Sequence, residues 1–263
     1  MSGCGDRRGI VNASCRIAYV GVLALFLAAC AGLTDYRAVV ASPDRSDADR
    51  QTDQRRKPEL LLAFTGVRQG MKVLDMGAGG GYSTELLARA VGPGGTVYAQ
   101  DSPAGSPRAR ERFDERAKAP PMRNVVRVLR EYDDPVPPSV RDLDLVTFLF
   151  AYHDTAFMPV DRAKMNRALF DALKPGGVLV IADHSAQPGA GTSVVKTLHR
   201  IEESTLRREV EAAGFRLIAE ADFLRNPGDA RDAIVFKPQV PVDEFVLKFI
   251  KPAEDRPAAG YSM

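Results

Sequence analysis

Three histidines, His153, His184 and His199, are the chain's full complement, and all fall within 47 of its 263 positions. Two sit directly beside an acid: His153 precedes Asp154, and Asp183 precedes His184. An imidazole near its ordinary pKa of about 6.5 can accept a proton at neutral pH, and a neighbouring carboxylate can orient it. The chemistry this predicts is proton removal from a hydroxyl or amine, with His153 or His184 as base and Asp154 and His199 beside it. The set His153, Asp154, Asp183 and His184 is also a mixed imidazole and carboxylate group of the kind that suits zinc, manganese or iron. Its spacing matches no recognised metal motif, so the reading without metal stands first. A second stretch carries a different signal. Val73-Leu74-Asp75-Met76 is followed by Gly77, Ala78, Gly79, Gly80 and Gly81, and then by a helical run from Tyr82. Strand, glycine turn and helix let a nucleotide-like ligand lie against bare backbone.

These residues need elements to position them. Apolar runs and breakers predict strands at about 72–76, 96–100, 124–129, 143–150, 178–182, 215–223 and 244–251. Helices are expected at 59–66, 82–90, 107–118, 159–172 and 203–212. Alternating strands and helices imply an α/β fold: a doubly wound, mostly parallel seven-stranded sheet with an N-terminal helical extension. In such sheets ligands sit beyond the carboxyl ends of the strands. His153 follows the fourth predicted strand and His184 the fifth, so both should emerge at that edge.

The pattern Asp75-x-Gly77-x-Gly79-x-Gly81 resembles the first motif of the class I S-adenosylmethionine-dependent methyltransferases. The dinucleotide fingerprint fits less well, because Tyr82 and Thr84 stand where it needs glycine, and no Gly-Lys-Ser/Thr of a phosphate loop follows. Gly92-Pro93-Gly94-Gly95-Thr96-Val97-Tyr98 and Leu173-Lys174-Pro175-Gly176-Gly177-Val178-Leu179 resemble phrases of the same family, over about residues 58–252. More narrowly, Tyr152-His153-Asp154, Asp183-His184-Ser185-Ala186 and His199-Arg200-Ile201-Glu202-Glu203 resemble a group of exported bacterial proteins classed as methyltransferases. The resemblance implies S-adenosylmethionine as cofactor. It implies that Asp75 supports the methionine amino end, that Gly77, Ala78, Gly79 and Gly81 form the turn, and that Asp101 takes the ribose hydroxyls. Tyr132 and Asp133 would lie at the adenine edge. Tyr82, Tyr152 and Phe157 would shape the pocket or simply pack. Lys196 and Arg200 would attract an anionic substrate or form a surface patch. A small-molecule acceptor is expected; another enzyme chemistry on this fold, or a non-catalytic envelope binding protein, are the alternatives.

Residues 1–29 read as an export leader. Arg7, Arg8 and Arg16 precede the apolar run Ile17 to Ala29, too short for a comfortable membrane span, and Leu27-Ala28-Ala29-Cys30 resembles the bacterial lipoprotein cleavage box. Cleavage there would leave Cys30 to carry a lipid and place the domain in the cell envelope. A start codon assigned too early would instead leave the protein in the cytoplasm. Loss of the leader balances basic and acidic side chains, which speaks against a nucleic-acid partner. Residues 30–57 read as a tether and a densely charged helix, either a solvated surface or a lid, and 253–263 as a tail.

Overall fold

The computed structural model describes residues 34–253 except 237. The leader, Cys30 and the tail beyond 253 lie outside the described residues.

Seven strands form one sheet: β1 (Lys72–Met76), β2 (Thr96–Asp101), β3 (Val125–Leu129), β4 (Leu143–Leu149), β5 (Leu173–His184), β6 (Arg216–Ala221) and β7 (Glu244–Ile250). Their order is β3-β2-β1-β4-β5-β7-β6. The first five pair in parallel; β7 runs antiparallel between β5 and β6. Helices cover both faces, which is why the central strands read as near-continuous apolar runs. Alternate side chains still divide cleanly. Val73, Leu145, Val180 and Val246 pack into one buried layer, and Leu74, Val146, Ile181 and Leu247 into the other.

The helices are α1 (Tyr36–Val40), α2 (Asp47–Arg56), α3 (Pro58–Thr65), α4 (Tyr82–Val91), α5 (Pro107–Arg116), α6 (Arg162–Ala172), α7 (Val195–Leu198) and α8 (Glu203–Ala212). Local chemistry sets several starts. Ser46, Ser106 and Asp161 each accept a backbone N–H in the first turn of α2, α5 and α6, and Pro107 fits the first helical position. The strand and helix spans expected from the sequence hold to within a few residues, except that β5 pairs from Leu173, ahead of the glycines, with a register shift opposite Leu143–Leu145.

The reading of 30–57 needs correction. Where a tether was expected, α1 forms, and the Tyr36 hydroxyl donates to the Val67 carbonyl at 2.7 Å. The charged α2 is solvated on one side only, where Asp47, Ala48, Gln51, Gln54 and Arg55 are exposed. Arg45 and Asp49 are buried. Arg45 makes a bidentate pair with Asp53 at 2.7 and 2.8 Å. Arg116 of α5 does the same to Asp49, at 2.8 Å for both bonds. Such pairing offsets the cost of burying these charges.

Phe148 of β4 is fully buried, stacked on Tyr132 at 5.9 Å and edge-on to Tyr152 at 5.4 Å. Phe148→Ala is expected to cost about 3–5 kcal/mol through lost burial and a residual cavity. Chemical denaturation checks this; a loss under 1 kcal/mol would show that the site collapses freely.

Candidate active site

Strand order reverses direction between β1 and β4, and that crevice is where this architecture binds ligands. Gly77 and Gly79 open it. Both hold positive φ, +63° and +52°. A Cβ at Gly77 would lie 3.0 Å from the Ala151 Cβ and 3.2 Å from the Tyr132 hydroxyl. At Gly79 a Cβ would meet only the turn's own Gly77 carbonyl, at 3.9 Å. The turn therefore presents unfilled backbone at its tip, which is the cradle a nucleoside needs. Gln100 holds it from beneath: its side-chain oxygen accepts from Gly77 N at 3.2 Å and its carbonyl accepts from Ala78 N at 2.8 Å.

Asp75 lies deeper than a direct ligand contact requires. Its two oxygens accept from Thr84 Oγ1 at 2.7 Å and Thr147 Oγ1 at 2.8 Å. Burial raises its pKa to about 6 in spite of those hydroxyls. The folded protein thus holds the Asp75 proton more tightly than the unfolded chain. Stability from this group is complete below about pH 4 and declines as pH rises through about 6, by roughly 3 kcal/mol in all. The pH dependence of unfolding should differ between wild type and Asp75→Asn across that window, and parallel curves would assign the group an ordinary pKa. Asp101, at the end of β2, is half-buried. It accepts from Ser102 N at 2.9 Å, and burial raises its pKa. Tyr132 is buried beneath the glycine turn, whereas Asp133 is half-buried, 3.9 Å from the Lys164 ammonium.

One site residue escaped the sequence reading. Arg56, the last residue of α2, lies with its guanidinium 4.3 Å from the Phe150 ring centroid and 5.5 Å from that of Tyr82. Tyr82 begins α4 directly after the glycine turn, and Phe150 directly follows β4, so Arg56 stands over the crevice. Its Nε is buried and has no hydrogen-bond partner. Burial, with Arg55 alongside, pulls its pKa down to about 10, so it remains a cation at neutral pH. A desolvated guanidinium with an orphaned N–H suits a carboxylate. The methionine carboxylate of S-adenosylmethionine is such a group, and the residues of the crevice fit that cofactor. The sequence signal was the charged run itself, in which Arg56 looks no different from Arg55.

The histidines do converge. Ring centroids lie 5.4 Å apart for His153–His184 and also for His153–His199. His153 is buried, and Asp183 grips it twice: Oδ2 accepts from its backbone N at 2.8 Å and Oδ1 from Nδ1 at 2.7 Å. Asp154 Oδ1 lies 3.2 Å from Nε2. Burial alone would lower the His153 pKa, but Asp183 and Asp154 overcome it and raise it to about 10. Burial likewise pushes Asp183 up, and His153 outweighs it and holds it low. The two form an ion pair, so His153 is not the free base expected of an ordinary imidazole. His184, though its ring neighbours that of His153, faces Glu244 Oε1 at 3.0 Å without hydrogen-bond alignment. The four-ligand set of His153, Asp154, Asp183 and His184 does not assemble, because Asp183 spends both oxygens inward. His199 takes the place beside Asp154 instead, at 3.4 Å.

Three further expectations are revised. Arg200 is not open to an anion: it is buried and donates to Asp229, Ser185 O and Ala233 O. Tyr152 is core, its hydroxyl donating to Glu209. Phe157, by contrast, is exposed and edges His199 at 5.9 Å.

A model of the methyltransferase domain matches residues 47–220, from the start of α2 to β6. The chain belongs to that family, the class I S-adenosylmethionine-dependent methyltransferases, and S-adenosylmethionine is its cofactor. It is 32% identical over 121 residues to a protein-L-isoaspartate O-methyltransferase of Ignicoccus hospitalis, covering 46% of this chain and 51% of that one. The chain spans about half the length of the curated relatives it matches. Among solved structures it resembles a SAM-dependent methyltransferase from Aquifex aeolicus, with TM-score 0.54, 21% identity, and 77% and 96% of the two chains covered. It also resembles the [4+2]-cyclase SpnF, with TM-score 0.56, 17% identity, and 78% and 82% covered. At such identities these two likenesses speak for the fold alone, and a fold does not fix a reaction.

Proposed function

We propose that this protein transfers the methyl group of S-adenosylmethionine to a hydroxyl of a small acceptor with an apolar body. The observation that carries the reading is the cluster of His153, Asp154 and His199, placed at the same sheet edge as the glycine turn and flanked by exposed aromatic rings. His199 lies 4.7 Å from Phe236 and 5.9 Å from Phe157 by ring centroids. Both phenylalanines are exposed. Exposed apolar side chains gathered beside polar groups mark a binding rim.

S-adenosylmethionine supplies an activated methyl group on a sulfonium. The chain's own residues do the rest. Arg56 holds the carboxylate end, the Gly77–Gly81 backbone receives the nucleoside, and Asp101 takes the ribose hydroxyls, for which a carboxylate offers two acceptors. Asp183 fixes the His153 ring. Because His153 is already a cation, the acceptor's proton passes to His199, which Asp154 steadies. Most of the acceleration comes from alignment of donor and nucleophile.

Calorimetry with S-adenosylmethionine and its demethylated product, followed by a screen of metabolite extracts for a labelled methyl product, tests the reading. Absence of cofactor binding at millimolar concentration would end it. Asp101→Ala is expected to weaken cofactor binding about tenfold or more, since hydrogen bonds to a charged group contribute roughly 1.5–3 kcal/mol. Unchanged affinity would remove Asp101 from the ribose role. The protonated His153 also suits a general acid, as a different chemistry on this fold would need. Cofactor binding with no methyl product on any acceptor would select that reading.

We further propose that the leader delivers the protein to the cell envelope, anchored through Cys30. Lipid labelling that persists in Cys30→Ser, or is absent from the wild type, would refute this.

A further inference from the structure

We propose that His153, Asp154 and His199 form a site for one divalent transition-metal ion of the zinc class. This deepens the reading of the cluster as the acceptor site, and ion binding is measured without turnover, so either can fail alone. His153 Nε2, His199 Nδ1 and Asp154 Oδ1 make a nearly equilateral triangle. Its sides are 3.3 Å between the two nitrogens, 3.2 Å from His153 to the carboxylate and 3.4 Å from His199 to it. A tetrahedral ion with bonds of about 2.0–2.1 Å needs ligand atoms about 3.3 Å apart. Among the described residues this is the only grouping of three or more such side chains that converges to within ligand distance.

The surroundings complete the case. Asp183 Oδ1 lies 2.7 Å from His153 Nδ1. That contact commits Nδ1 to donate and turns Nε2 toward the triangle, where an arriving ion would displace the Nε2 proton, the carboxylate–histidine arrangement that supports metal-bound imidazoles. His199 caps α7 at φ +53°, its N–H donating to the Val195 carbonyl, and this turn at the helix end carries its ring to the cluster. Two imidazoles and one carboxylate are a donor set for zinc, iron or cobalt rather than magnesium or calcium. The side chains of Asp154 and His199 are partly exposed while His153 is buried, so a fourth coordination position faces the aromatic rim. An acceptor oxygen arriving there would meet the ion.

Titration of the full-length, metal-stripped protein with cobalt(II), followed by its visible absorption and by calorimetry, tests this. The expected result is one ion per chain with the intense visible bands of a four-coordinate site. His199→Gly keeps the backbone's positive φ while removing the ligand. It should weaken binding at least about a hundredfold and abolish the bands, as should Asp154→Asn. Asp183→Asn, which touches the triangle through His153 and not as a ligand, should weaken binding about 10- to 100-fold. No stoichiometric ion in the wild type, or binding equal in wild type, His199→Gly and Asp154→Asn, would overturn the proposal. Retained secondary structure and cofactor affinity in the variants ensure that a loss reports on the ligands.

Discussion

Replacing Arg56 with alanine is expected to weaken S-adenosylmethionine binding about 30- to 150-fold, equivalent to roughly 2–3 kcal/mol. The expectation rests on where the guanidinium lies. It lies over Phe150 and Tyr82, its Nε is buried without a partner, and no carboxylate among the described residues makes a salt bridge to it. A cation kept desolvated and unpaired has its cost met only when an anion arrives, so the cofactor's carboxylate is bound by a group that gives up little hydration. Arg56→Lys should recover only part of the affinity, since an ammonium carries the charge but not the planar fork of donors. The variant separates two roles. If Arg56 only packs α2 against the sheet, cofactor affinity should follow stability, and Arg56→Met should restore both. If it anchors the carboxylate, Arg56→Met should fold well and still bind weakly. Calorimetry beside thermal unfolding reads both quantities.

His153→Ala is expected to produce two separable losses. Turnover should fall about tenfold or more, because His153 contacts both His199 and Asp154 and its loss disturbs the position of the group that takes the proton. Stability should fall by about 3–5 kcal/mol, because Asp183 is fully buried and loses its cation. Adding Asp183→Asn removes the stranded charge. The double variant should therefore regain most of the stability and none of the turnover. Cofactor affinity should stay near wild type in both, because no residue of the cluster takes part in the glycine turn or the Arg56 crevice. Recovery of turnover with stability would reduce His153 to a structural partner of Asp183. Full activity in His153→Ala would take His153 out of the acceptor site and leave His199 and Asp154 to act without it.

Local pattern carried a large share of this protein's description. Apolar runs of strand length, Gly-Pro-Gly-Gly and Lys-Pro-Gly-Gly breaks, and amphipathic spacing located the strands and the main helices, because backbone preference and burial act over a few neighbouring residues. The Asp75–Gly81 phrase located the glycine turn for the same reason: the acid, the strand and the turn are contiguous in sequence. Three matters depended on contacts between distant segments. The first was α2, whose charges read as solvated until Arg116, 67 positions from Asp49, and Arg45 buried them as pairs. The second was His153, whose protonation follows from a carboxylate 30 positions away in sequence and 2.7 Å away in space. The third was His199. Backbone hydrogen bonds between Ile201 and both His184 and Ala186 stitch its segment to the end of β5, and this brings it to Asp154. Sequence fixes which side chains are available within each element; desolvation, ion pairing and ligand geometry depend on which elements meet.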